Sequence, residues 1–211
     1  MDDQTSQTLP AYTAIVLAGG QGSRMQGQDK GLVPFGSRRL IDHALARLTG
    51  QHHRPQSILI SANRNTSTYT QFGYPVLADT VADYPGPLAG FLAGMVACQS
   101  SWLLSVPCDS PYFPLDLSQR LLMQAQQDQV DIVIAANRDE EGHQRRQPVF
   151  CLMRPQLASD LLTFIQAGEG KIGAWIHRHA FSVVCFDQAQ DDRSAFFNVN
   201  SAAELELPGP R

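Results

Sequence analysis

Between Leu17 and Leu32 the chain reads LAGGQGSRMQGQDKGL, a stretch with five glycines, Arg24 and Lys30. Glycine loses more conformational freedom on folding than any other residue, so a cluster of it marks backbone that must come close to something. The N–H groups around Gly19, Gly20 and Gly22 can form an anion-binding nest. Arg24 would add a planar fork of donors and Lys30 a mobile point charge, a combination suited to a triphosphate. Two familiar phosphate cradles fail on spacing. In a P-loop, Lys and Ser/Thr would follow Gly27, where Gln28 and Asp29 stand. A dinucleotide fingerprint would need glycine where Met25 stands, with an acidic residue closing the next strand. The plainer alternative is a surface loop whose basic side chains are only solvated.

A second group of chemistry-bearing residues follows the apolar runs further on. Asp109, in PCDSPY, comes directly after WLLSVP. A carboxylate there can hold Mg²⁺ against substrate phosphates, because magnesium commonly uses one or two protein carboxylates in such sites. The alternative, a helix N-cap for FPLDLSQRLL, is weakened by the intervening Pro111 and Pro114. Ser61 lies at the end of SILISA with Asn63 just after it, and Asp79 ends YPVLAD.

These residues need a frame that brings strand ends together. Apolar, β-branched runs predict strands over 13–18, 57–62, 74–79, 102–107, 130–136, 148–153 and 181–186. Helical patterns fall at 38–48, 88–99, 117–127 and 155–166. Their alternation predicts an α/β fold with a largely parallel central sheet covered on both faces, and ligands at the carboxyl ends of its strands. The glycine loop, Ser61, Asn63, Asp79 and Asp109 would then share one rim. Gly86, Gly90 and Gly94 recur at four-residue spacing in a segment too short to span a bilayer, which predicts close helix-to-sheet packing.

Composition narrows the possible functions. A chain of 211 residues fits one domain, 11–211, behind a polar N-terminal tail over 1–10 that is expected to be flexible. Net charge is −4, which supplies no global attraction for nucleic acid or an anionic membrane. The four cysteines form no CxxC pair and suit a reducing, cytoplasmic setting. The six histidines lack metal-binding spacing. The basic run HQRRQP at 143–148 is expected to be a solvated loop, with contact to a substrate phosphate as the second reading for Arg145 and Arg146. Lys171 is expected on the surface.

Four ordered segments carry a family resemblance. LAGGQGSRMQGQDKGL resembles the nucleotidyltransferase signature LAGGxxxRMGGxDKGL. ADYPGPLAG (82–90), PCDSPY (107–112) and FFNVNSAAEL (196–205) are similar to segments of the molybdenum cofactor guanylyltransferase family. The resemblance spans nearly the whole chain. It implies a Rossmann-like three-layer sandwich of the nucleotide-diphospho-sugar transferase type. It also implies transfer of GMP from GTP to molybdenum-bound molybdopterin, with release of pyrophosphate.

Carried onto this chain, the resemblance places Leu17, Ala18, Gly19, Gly20, Lys30, Ser61, Asp79 and Asp109 at GTP. Lys30, Asp109 and Arg24 would be the catalytic groups, and Asp109 the Mg²⁺ ligand. Asn198 and Asn200 fall on the pterin side, so that the N-terminal half holds GTP and magnesium and the C-terminal half the pterin. A molybdopterin delivery protein and an acceptor molybdoenzyme or chaperone are the implied partners of a monomer. The related alternatives are a molybdopterin cytidylyltransferase, a sugar-phosphate nucleotidylyltransferase, or a non-catalytic nucleotide- or partner-binding module. Two positions depart from the family pattern: Gln26 replaces a glycine, and Ser61 replaces the first asparagine of Asn-Ala-Asn. A hydroxyl cannot present an amide's separate donor and acceptor.

Overall fold

The structure is a computed structural model that describes residues 8–18, 29–79, 86–200 and 204. The N-terminal tail up to residue 7 and the site candidates Gly19, Gly20, Gly22 and Arg24 lie outside the described residues. The strands are β1 (Tyr12–Leu17), β2 (Pro34–Phe35), β3 (Arg38–Arg39), β4 (Ser57–Ser61), β5 (Val76–Leu77), β6 (Trp102–Pro107), β7 (Ile132–Arg138), β8 (Gln144–Met153) and β9 (Phe181–Cys185). The helices are α1 (Leu40–Thr49), α2 (Thr66–Thr70), α3 (Pro87–Ala97), α4 (Leu117–Asp128), α5 (Ala158–Gln166) and α6 (Ile172–Ile176).

Seven strands form the main sheet in the order β5-β4-β1-β6-β8-β7-β9, with β8 antiparallel to both its neighbours. The remaining pairings in that sheet are parallel. The chain passes from β1 to β4 and β5 on one side, then returns to β6 on the other. The crevice beyond the carboxyl ends of β1 and β6 is therefore the topological switch point, where α/β sheets bind ligands.

Alternation along the strands builds the two faces. Tyr12, Ala14 and Val16 of β1 join Ile41, Ala44 and Leu48 of α1 and Leu117, Leu121 and Leu122 of α4 in one buried cluster. Ile15 faces the other way and packs with Leu88, Phe91, Leu92 and Met95 of α3, together with α5 and Trp175 of α6. Helix α3 lies so close to the sheet that a Cβ on Gly94 would stand 2.9 Å from both Ile15 Cδ1 and Leu103 Cδ2. A Cβ on Gly90 would stand 2.7 Å from Leu17 Cδ2. The glycine stripe is thus the close helix-to-sheet packing that its spacing predicts. Gly94→Val forces three carbons into this contact and is expected to lower stability by about 3 kcal/mol, measured as a fall in the urea midpoint at unchanged slope.

The structure corrects the reading of residues 143–148 as a loop. Gln144–Met153 is one strand, joined to β7 by a tight turn in which Gly142 takes φ 85°. Because Ser105 pairs with Cys151, the earlier part of β8 runs past the carboxyl end of β6. Its QRRQ sequence is polar on both faces, so no apolar alternation marks it as a strand. The predicted helix at 38 begins at Leu40, because Arg38–Arg39 pairs with Pro34–Phe35 around Gly36 at φ 61°. The helix predicted from 155 opens as a 3₁₀ turn over Pro155–Leu157 before α5. Among the described residues, no helix is long and apolar enough to cross a membrane.

Candidate functional site

Backbone hydrogen bonds fasten together the segments that leave the carboxyl rim. Ala18 N donates to Ser61 O at 2.9 Å, Ala62 N to Leu77 O at 2.9 Å, and Cys108 N to Leu17 O at 3.2 Å. Leu17, Ala18, Ser61, Asp79 and Asp109 therefore lie along one rim, as the strand-end rule predicts.

Lys30 lies at the centre of the switch-point crevice. It opens a 3₁₀ turn, Lys30–Leu32, whose following residues Val33 and Phe35 pack with Leu40 and Val199 in a small third core. That core fixes the C-terminal segment FNVN beside the Lys30 turn, and Val199 N donates to Asp109 O at 2.9 Å. Lys30 Nζ donates to Asp109 Oδ2 and, at 2.7 Å, to Asn200 Oδ1. Asn198 Oδ1 bonds the hydroxyl of Ser110. Three segments far apart in sequence thus converge on one ammonium. The side chains of Lys30 and Asp109 keep 20% and 17% of their surface, enough to meet a ligand while water is largely excluded.

Asp109 has one oxygen on Lys30, while its buried Oδ1 has no hydrogen-bond partner among the described residues. A carboxylate oxygen withdrawn from water and left unfilled is costly, so its natural complement is a cation or a donor brought by a ligand. The helix-cap alternative does not hold: α4 is preceded by Asp116 at its N-cap position. A carboxylate oxygen left open beside a lysine at the ends of β1 and β6 fits a magnesium ion shared with substrate phosphates.

A second open acceptor lies toward the sheet edge. Asp79 Oδ1 is likewise buried with no partner among the described residues, while Oδ2 accepts from Asn63 Nδ2 at 2.5 Å. Burial pushes the Asp79 carboxyl above its ordinary range, and the hydrogen bonds from Asn63 and Ser61 pull it partly back. Ser61 is only 2% exposed, and its Oγ would be 3.0 Å from a Cβ on Gly90. Ser61 thus adds its hydroxyl to the hydrogen bonds on the Asp79 carboxylate.

Sequence reasoning placed Asn63 on the rim without giving it a partner, and did not assign Asp29, Gly31 or Tyr69 to the site. Tyr69 is fully buried, and its hydroxyl donates to Asp29 Oδ1, the residue before Lys30. A Cβ on Gly31 would stand 2.5 Å from that hydroxyl, so glycine is what lets the turn sit against it. Gly31→Ala is expected to push Tyr69 away from Asp29 and lower transfer activity about tenfold, measured in steady state alongside the thermal midpoint. The DKG triplet was a signal of this arrangement, although the partner tyrosine lies 40 positions away.

The other basic candidates have local partners. Arg145 Nε donates to Asp139 Oδ2 at 2.8 Å, and Arg146 lies 5.6 Å from the centre of the Phe181 ring. Lys171 is exposed at the N-cap position of α6. Asp139, Glu141 and His143 bring their ligand atoms within 4.8 Å of one another, but Asp139 already accepts the N–H groups of Glu141 and His143 as part of its turn.

Comparison with known proteins shows the family to which this chain belongs. A family model described as a MobA-like NTP transferase domain matches residues 14–183. A molybdenum cofactor guanylyltransferase from Acidovorax ebreus (strain TPSY) is 49% identical over 200 residues, covering 92% of each chain. One from Ralstonia nicotianae is 48% identical over 198 residues, covering 92% of this chain and 93% of its own. Among solved structures, molybdopterin-guanine dinucleotide biosynthesis protein A from Archaeoglobus fulgidus superposes with a TM-score of 0.71 at 19% identity, covering 92% of this chain and 94% of that one. At that identity the likeness is one of fold.

Proposed function

The chain belongs to the MobA-like NTP transferase family, and on that premise we propose that it transfers GMP from GTP to molybdenum-bound molybdopterin, releasing pyrophosphate and forming the guanine dinucleotide cofactor. The observation that carries this reading is the convergence of Lys30, Asp109 and Asn200 at the switch point, with the open Oδ1 of Asp109 beside them.

In the reaction, an oxygen of the pterin's terminal phosphate attacks the α-phosphorus of GTP. A new P–O bond forms as the bond to the bridging oxygen of pyrophosphate breaks. The attacking monoester is already largely ionised near neutral pH, so a strong general base is unnecessary. Catalysis requires alignment of the two phosphates and compensation of their charge. Lys30, aimed by Asp109 and Asn200, supplies a positive donor at the reacting phosphate. Asp109 would hold Mg²⁺, which when bound neutralises phosphate charge and orients the triphosphate. Asn200 borders this centre, where the acceptor phosphate has to arrive, and Asn198 steadies the same segment through Ser110. Leu17 and Ala18 begin the loop that, with Gly19, Gly20 and Arg24, is assigned to the triphosphate. Asp79 holds the nucleoside end.

Asp79→Ala is expected to weaken GTP binding about tenfold by calorimetry, as the loss of a hydrogen bond to a charged acceptor. An unchanged dissociation constant would remove Asp79 from the site. For the reaction itself, pyrophosphate release with Mg²⁺ and molybdenum-molybdopterin is expected with GTP and to be far slower with CTP. A preference for CTP would point instead to a cytidylyltransferase. We further propose a cytoplasmic monomer that receives the pterin from a delivery protein and passes the product to an acceptor molybdoenzyme or its chaperone. Light scattering after size exclusion tests the monomer.

A further inference from the structure

The turn between β4 and α2 bonds both ends of the nucleotide rim. Asn63 uses its whole amide on Asp79: Nδ2 donates to Oδ2 at 2.5 Å, and Oδ1 accepts the Asp79 backbone N–H at 2.8 Å. Two residues on, Asn65 Nδ2 donates to Asp29 Oδ2 at 3.0 Å, while Tyr69 fills the other oxygen of Asp29. Asn65 sits at φ 50°, ψ 31°, a left-handed conformation that asparagine tolerates better than most side chains. Its carbonyl accepts the N–H of Thr68 at 2.8 Å and of Tyr69 at 3.1 Å. The same turn therefore starts the helix that delivers Tyr69.

Both asparagines are exposed, so neither is there to fill a core. What their bonds determine is the aim of two carboxylates. With Oδ2 taken by Asn63, Asp79 presents Oδ1 as the carboxylate oxygen left open among the described residues. Asp79 follows β5 and Asp109 follows β6, three inter-strand steps apart in the sheet. At about 4.8 Å per step this is roughly 14 Å. With phosphates at Lys30 and Asp109, Asp79 faces the nucleoside end. A carboxylate can only accept, and the Watson–Crick edge of guanine offers two adjacent donors, N1–H and the 2-amino group.

We propose that Asn63 and Asn65 form a two-ended positioning clamp. Asn63 aims Asp79 Oδ1 at the donor edge of the guanine base, and Asn65, with Tyr69, holds Asp29 so that Lys30 stays on the reacting phosphate. This rests on the GTP reading above and adds the residues that set its selectivity.

Calorimetry with GTP, ITP and 2′-deoxy-GTP, paired with steady-state kinetics, tests both ends of the clamp. ITP lacks the 2-amino group, and 2′-deoxy-GTP lacks a ribose donor. The wild-type protein is expected to bind GTP about tenfold more tightly than ITP and 2′-deoxy-GTP within about threefold of GTP. In Asn63→Ala, GTP affinity falls about tenfold and the GTP-over-ITP preference shrinks to within about twofold, with kcat at saturating GTP held within about threefold. Asn65→Gly, which keeps the left-handed backbone, lowers kcat about tenfold with the GTP dissociation constant within about twofold. Full retention of the GTP-over-ITP preference in Asn63→Ala would overturn the proposal, as would a larger wild-type penalty for 2′-deoxy-GTP than for ITP. Equal loss of affinity and kcat in both variants would also overturn it, because that is the pattern of a merely structural turn. A wild-type protein that binds GTP selectively but forms no pterin dinucleotide would instead fail the function and leave the clamp standing.

Discussion

Asp109→Asn lowers guanylyl transfer at saturating GTP by about a thousandfold while leaving the thermal midpoint within a few degrees of wild type. A thousandfold corresponds to about 4 kcal/mol of transition-state stabilisation. The two halves of this prediction follow from the two oxygens of one side chain. Oδ2 accepts from Lys30, and the amide oxygen of asparagine can replace it there. Oδ1 accepts no hydrogen bond among the described residues, so removing its charge breaks no bond seen there. What disappears is the site for a cation against the phosphates, and more Mg²⁺ should be needed to reach half-maximal rate. Steady-state rates across a magnesium titration, with a melting curve, check both. Activity within tenfold of wild type would show that Asp109 is not the metal's carboxylate.

Lys30→Met gives a loss of similar size with the opposite magnesium signature. The methionine keeps the apolar length of the side chain and removes the ammonium, and a fall in kcat of about a hundred- to a thousandfold is expected. Lys30 also neutralises Asp109 before substrate binds. With it gone, the carboxylate is free for a cation, so half-maximal rate should need the same Mg²⁺ as wild type or less. A kinetic titration separates the two variants even where their turnover is equally poor. If Lys30→Met raises KM for GTP with kcat unchanged, the lysine binds the ground state only and has no special role in the transfer step.

The part of the site that was legible in the sequence is the part that sits where strands stop. Asp79 and Asp109 each end an apolar run, and Lys30 ends a glycine loop after the first strand, so their types and places could be read without coordinates. What joins them could not. Asn200 reaches Lys30 across 170 positions, because a small core of Val33, Phe35, Leu40 and Val199 carries the C-terminal segment there. The bonds of Asn63 and Asn65 depend on a left-handed residue that the sequence does not mark, since an asparagine in a polar loop is ordinary. Ser61 shows the limit of pattern matching. It occupies the place of an asparagine in the family pattern, yet here it is buried with its hydroxyl on Asp79, and Asn63 makes the amide contacts.

The fold was legible for the same physical reason and illegible in complementary places. Apolar strands buried on both faces and amphipathic α1 and α4 write their periods into the chain. Helices α2 and α6, five residues each, are too short for a helical period to show. The projecting start of β8 is polar on both sides because it has left the sheet's covered region, so its alternation carries no hydrophobic signal.

The most direct test of the central claim follows the phosphorus itself. The wild-type protein, incubated with Mg²⁺, molybdenum-molybdopterin and GTP labelled at either the α- or the γ-phosphate, should place only the α-label in a pterin–guanine dinucleotide and release the γ-label as pyrophosphate. Label from the γ-position in the pterin product, or no α-label there while CTP supplies it, would contradict guanylyl transfer by this site.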